Sequence, residues 1–160
     1  MVATALRRLT LVTASELRAQ EQLRIVKQGK QKRRRDMDIE ILKGKTLVSV
    51  DGEIGGMEAV FQADSGERYK MLHVRDCCEH VYLDDICGEF SDLIGAPLLE
   101  AEKIEGEHIS DEETDSLTWT FYKLGTIKGC VTLVWRGESN GYYSEGVDFL
   151  RLDESGEAIY

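Results

Sequence analysis

Residues Val81–Gly95 read VYLDDICGEFSDLIG, and the period of this stretch decides the fold class. Leu83, Ile86, Phe90, Leu93 and Ile94 recur at steps of three and four, the spacing of one helical face. Asp84 or Asp85 can cap the first turn, where negative charge suits the helix dipole. Gly95 and then Pro97 supply a stop. The spacing therefore predicts one helix here, with Gly88 inside it at a cost of about 1 kcal/mol relative to alanine. A close approach by another backbone would account for that glycine.

The flanking sequence reads as strands. IEILKGKTLVSV at 39–50 alternates apolar and polar residues, as a half-buried strand does. MEAVFQADSGERYKMLHVRD gives two strands about the turn Asp64-Ser65-Gly66, with Tyr69, Met71 and His73 on one face. PLLEAEKIEGE resembles an edge strand, and EGEHISDEETDS is too polar to bury and reads as an acidic loop. LTWTFYKLG is β-prone through its aromatic and threonine content. In TIKGCVTLVWRG, Ile127, Val131, Leu133 and Trp135 take one face and Lys128, Cys130, Thr132, Val134 and Arg136 the other. Asn140-Gly141 is a strong hairpin signal, with YYSEGVDFLRL as the returning strand. The order β-β-β-α-β-β-β-β, joined by short turns, predicts an α+β fold. It would be a mainly antiparallel sheet or small open barrel with one packed helix.

Charge divides the chain of 160 residues. Residues 1–36 hold ten Lys or Arg and three acids, whereas residues 37–160 hold ten and twenty-seven, a balance of +7 against −17. Residues 1–36 are expected to form a basic helical or disordered arm, native or an upstream extension, because Met37 opens a new compositional regime. Residues 37–160 are expected to form the acidic domain. An acidic body repels phosphates, so nucleic acid could be met only through the arm. No apolar run approaches the ~20 residues of a membrane-spanning helix. Without a secretory signal, reduced thiols and a cytoplasmic location are expected.

Three of the four cysteines lie in Asp76–Gly88, DCCEHVYLDDICG. Cys78, His80 and Cys87 are weak candidate metal ligands, because zinc sites show paired ligands such as C-x-x-C and these do not. In an extended chain Cys77 and Cys78 would point to opposite faces, and adjacent cysteines do not normally bridge. The plainer alternative is that one of the pair is buried as a small hydrophobe and Cys87 packs on the helix. A nucleophilic thiol is disfavoured by Asp76, Glu79, Asp84 and Asp85, which raise a thiol pKa. Phosphate-loop, dinucleotide, nucleophile-elbow and zincin motifs are absent. No catalytic residue and no cofactor is expected. The stretch WRGESNGYYSE places Arg136, Glu138, Asn140, Tyr142, Tyr143 and Glu145 near one hairpin tip as a candidate binding surface. The alternative is that the tyrosines merely cover the sheet.

The segments DCCEHVYLDDICGEFSDLIGAPLLEAE and LTWTFYKLGTIKGCVTLVWRGESNGYYSEGVDF resemble a family of uncharacterised tailed-bacteriophage and prophage proteins. That family carries DCCE-type, TWTFYK and GESNGYYSE motifs, and the resemblance runs from about Lys43 to Phe149. It implies a phage accessory protein in the cytoplasm of an infected or lysogenic bacterium and carries over no catalytic residue. With the charge, it gives the leading expectation: a non-enzymatic protein that binds a host or defence protein through an acidic surface. The alternative is a small-ligand (nucleotide) or metal-binding module; an enzyme has the least support.

Overall fold

Every strand from Leu47 onward pairs antiparallel, and the described chain builds two sheets. A computed structural model describes residues 37–110 and 116–159; the expectations for the arm at 1–36 and for residues 111–115 of the acidic loop fall outside them. The strands are β1 (Leu47–Gly52), β2 (Glu58–Ala63), β3 (Arg68–Leu72), β4 (His80–Cys87), β5 (Glu100–Ile109), β6 (Ser116–Gly125), β7 (Cys130–Ser139), β8 (Asp148–Leu152) and β9 (Ala158–Ile159). One sheet has the order β1-β2-β3-β8-β9 and the other β4-β7-β6-β5.

The predicted packed helix is not there, so the fold is β rather than α+β. Val81–Gly95 instead forms β4 followed by a single 3-10 turn at Phe90–Leu93. A β-bulge explains the misleading period. The β4–β7 register shifts between Leu83 and Asp85, so Leu83 opposes Trp135 while Ile86 opposes Leu133. Trp135 and Leu133 face the core, so the bulge brings Leu83 and Ile86 to the same face three residues apart. A residue inserted into a strand converts a step of two into a step of three, which imitates a helix. Gly88 ends the strand with φ 113°. A side chain there would place its Cβ 2.5 Å from the carbonyl oxygen of Cys130. This is the close backbone approach that a glycine allows.

The core lies between the sheets. Phe61, Tyr69, Met71 and Phe149 from the first meet Val81, Leu83, Tyr122, Leu133 and Trp135 from the second. Tyr69 stacks on Phe149 with centroids 5.5 Å apart, and each fully buried large side chain contributes about 1.5–3 kcal/mol. The sheets also join at a strand edge, where Leu83 exchanges backbone hydrogen bonds with Gly55 and Gly56.

Three other expectations change. Ile39–Leu42, read as strand, forms a 3-10 turn capped by Asp38, and β1 begins only at Leu47. The strand following Asn140-Gly141 does not return along β7: β8 pairs with β3, so the chain crosses between the sheets at residues 140–147. The expected edge strand is β5, and it runs beyond Glu107 through His108 and Ile109, which were expected in the acidic loop.

Candidate functional site

The loop between β3 and β4 is built around one buried carboxylate. Glu79 is 2% exposed and accepts hydrogen bonds from the backbone N–H groups of Asp76 and Cys77. Its Oε1 also lies 3.2 Å from His73 Nε2. On the other side of the ring, His73 Nδ1 sits 2.8 Å from the carbonyl oxygen of Gly146. Each ring nitrogen thus faces an oxygen, one on Glu79 and one on the Gly146 backbone. Burial alone would raise the Glu79 carboxyl, but the two N–H groups and the histidine outweigh it and hold it at about 2. The His73–Glu79 pair thus ties the DCCE loop to the crossover segment.

The pin bends the backbone at Cys77 and Cys78. Their side chains therefore do not point to opposite faces: the two sulfurs come within 2.9 Å. Both thiols are exposed, as are Cys87 and Cys130, so neither of the pair is a buried hydrophobe. The ionisation of the Tyr143 hydroxyl on the crossover is pushed up by its interaction with Cys77, by burial and by nearby charge including Cys78 and Asp76. The Cys78 thiol is pushed up by its contact with Cys77, by burial and by nearby charge including Glu79.

The candidate metal ligands Cys78, His80 and Cys87 do not converge. His80 opens β4 and Cys87 closes it, about 23 Å away at the rise of an extended strand. His80 instead stacks on Tyr82, with centroids 4.8 Å apart. Cys87 donates weakly to Asp85 at 3.5 Å. No metal-holding cluster of three or more His, Cys, Asp or Glu occurs among the described residues.

The six hairpin residues are divided among three environments. Arg136 and Glu138 lie on the outer face of the four-stranded sheet and pair at 2.8 Å. Asn140 and Tyr142 form the exposed tip, where the Asn140 side chain accepts from the Tyr142 N–H at 3.2 Å and Tyr142 is 92% exposed. Glu145 turns inward. Its Oε1 accepts from the Ser139 hydroxyl at 2.5 Å, while Oε2 is buried with no partner among the described residues. Glu145 lines a cleft of about 270 Å³ with His108, Ser116, Thr118 and Tyr143. The crossover lies directly on the sheet here. A Cβ at Gly137 would stand 2.6 Å from that of Glu145 and 2.8 Å from its carbonyl oxygen.

Cross-strand neighbours share a face, so the register assembles the outer face of the four-stranded sheet. Arg136 sits between Tyr82 on β4 and Trp119 on β6, its guanidinium 5.7 Å from the Trp119 ring. Phe121 lies between Val134 and Ile104. Tyr82, Trp119, Phe121 and Val134 are half-buried and Ile104 is 46% exposed, so an aromatic and aliphatic strip borders solvent. Carboxylates flank it: Asp85 on β4, Glu138 on β7, and Glu100 and Glu102 on β5. Only part of this face was singled out from sequence. Alternation along β6 carries the signal, since Leu117, Trp119 and Phe121 take one parity and Ser116, Thr118 and Thr120 the other.

The arrangement defines a two-sheet antiparallel β protein with an uncovered aromatic face among its described residues. The chain belongs to the DUF7448 family, a domain of unknown function, whose model matches residues 40–149. No curated protein and no solved structure matches it. No helix among the described residues is long and apolar enough to cross a membrane.

Proposed function

We propose that the protein is a non-enzymatic accessory protein of a tailed bacteriophage or prophage, and that it binds a basic host or defence protein in the bacterial cytoplasm. The observation that carries this reading is the outer face of the four-stranded sheet, where Tyr82, Trp119 and Phe121 surround Arg136 and border solvent. Tryptophan, tyrosine and arginine supply most of the energy at protein interfaces. At its rim Glu100 and Glu138 pair with Lys123 and Arg136, while Asp85 and Glu102, on a body of net charge −17 over residues 37–160, favour a partner bearing arginine or lysine. Long-range attraction would speed its arrival.

The test begins with immobilised full-length protein in bacterial lysate, followed by reconstitution with the purified captured protein. Trp119→Ala should weaken that complex at least tenfold, and raising salt should weaken it further. Binding indifferent to both changes refutes the assignment.

A second reading has its own support in Glu145, which lines the 270 Å³ cleft and carries one buried carboxylate oxygen with no partner among the described residues. That carboxylate suits a small ligand bearing an ammonium or hydroxyl donor and disfavours a nucleotide phosphate. Native mass spectrometry of the purified protein checks it: a bound small molecule lost in Glu145→Gln supports it, and an empty protein contradicts it.

A further inference from the structure

The loop at Asp76–Glu79 holds two exposed thiols together without bonding them. Their sulfurs lie 2.9 Å apart, closer than non-bonded sulfur atoms ordinarily sit and longer than the ~2.05 Å of a disulfide. Glu79 fixes this geometry by gripping the N–H groups of Asp76 and Cys77 from below. The two thiols lie within hydrogen-bonding reach of each other, and either sulfur can donate. Both are exposed, so a small oxidant reaches them directly.

We propose that Cys77 and Cys78 form a vicinal-dithiol modification site, oxidised by hydroperoxides to a reversible disulfide between the two neighbours. In the first step the Cys77 sulfur attacks the outer peroxide oxygen. The S–O bond forms, the O–O bond breaks, and the departing oxygen leaves as water or an alcohol, taking the Cys77 proton. The product is a sulfenic acid. In the second step the Cys78 sulfur attacks the Cys77 sulfur. The S–S bond forms, the S–O bond breaks, and hydroxide leaves as water with the Cys78 proton. Two electrons pass from the thiol pair to the peroxide.

The product is suited to reversal rather than to structural bracing. Adjacent Cα atoms are about 3.8 Å apart, shorter than the roughly 4.4–6.8 Å that ordinary disulfides span. The bridge is therefore strained and readily reduced, as labile regulatory disulfides are.

The experiment treats the full-length protein with hydrogen peroxide, blocks the remaining thiols, and sequences the Cys77–Cys78 peptide by fragmentation mass spectrometry. The expected product lacks two hydrogens within that dipeptide and regains them with dithiothreitol. It persists in the Cys87→Ser, Cys130→Ser double variant and is lost in Cys77→Ser and in Cys78→Ser. Wild type and the double variant decide the matter even where a single variant misfolds. Free thiols at both positions, irreversible sulfinic acids, or disulfides linking different chains would each overturn the proposal.

Discussion

Replacing Glu79 by glutamine should destabilise the domain by about 1–2 kcal/mol at neutral pH, and the loss should fade in acid. The folded protein holds this carboxyl at about 2, against an ordinary value of 4.5. Complete conversion of that gap, at 1.36 kcal/mol per unit, gives about 3 kcal/mol. The loop's outer residues Asp76, Cys77 and Cys78 are exposed, so solvent screens the charge and reduces the figure to about 1–2 kcal/mol. The folded pKa is depressed. The contribution is therefore fully present above pH 4.5 and disappears as pH falls toward 2. Twenty-six other acids in residues 37–160 also titrate, but they cancel in the difference between wild type and variant. The assay is urea unfolding of both proteins at several pH values from neutral to strongly acid. A difference that stays constant across the acid range, or a variant as stable as wild type at pH 7, would refute the account of the loop.

Gly88→Ala forces a side chain into φ 113° and against the Cys130 carbonyl oxygen; a loss of about 3 kcal/mol or more is expected, read as a fall in the thermal midpoint. Ser139→Ala removes the hydroxyl that Glu145 accepts and should cost about 1–3 kcal/mol. Adding Glu145→Leu to it should recover most of that loss in urea unfolding, because both members of the polar pair are then gone. Gly137→Ala pushes the crossover off the sheet at Glu145, so hydrogen exchange at residues 141–147 should accelerate at least tenfold while the β2 and β3 amides stay protected.

Local strand chemistry was readable where alternation ran undisturbed. The Asp64-Ser65-Gly66 turn lies between β2 and β3 as expected. Val131, Leu133 and Trp135 are buried while Thr132, Val134 and Arg136 face outward, but Ile127, read with the buried set, lies in the β6–β7 turn and is 85% exposed. Alternation failed at β4, where a bulge resets the phase without leaving a residue type that announces it. Pairing partners were harder still. Asn140-Gly141 signals a turn, but whether the next strand returns to β7 or crosses to β3 depends on contacts far away in sequence, among them the room that Gly137 leaves for Glu145. The Cys77–Cys78 approach was unreadable for a related reason. It depends on where the Glu79 side chain turns, and an isolated DCCE does not show that its glutamate folds back beneath the loop.

The same register that hides β4 in the sequence also sets the outer face of the four-stranded sheet. The bulge leaves Tyr82 opposite Arg136 and places Asp85 beside Val134 on the outer face. A sheet residue there is free of core packing, so its side chain can serve recognition at small cost to stability.

The chain has two tryptophans: Trp135 is buried and Trp119 borders solvent. In a Trp135→Phe variant, emission reports Trp119 alone, and titration with the captured basic protein should shift it to the blue, with a midpoint that moves to higher concentration as salt is raised. Unchanged Trp119 emission at saturation, or no salt-sensitive protein recovered in the capture, would contradict the assignment of this face.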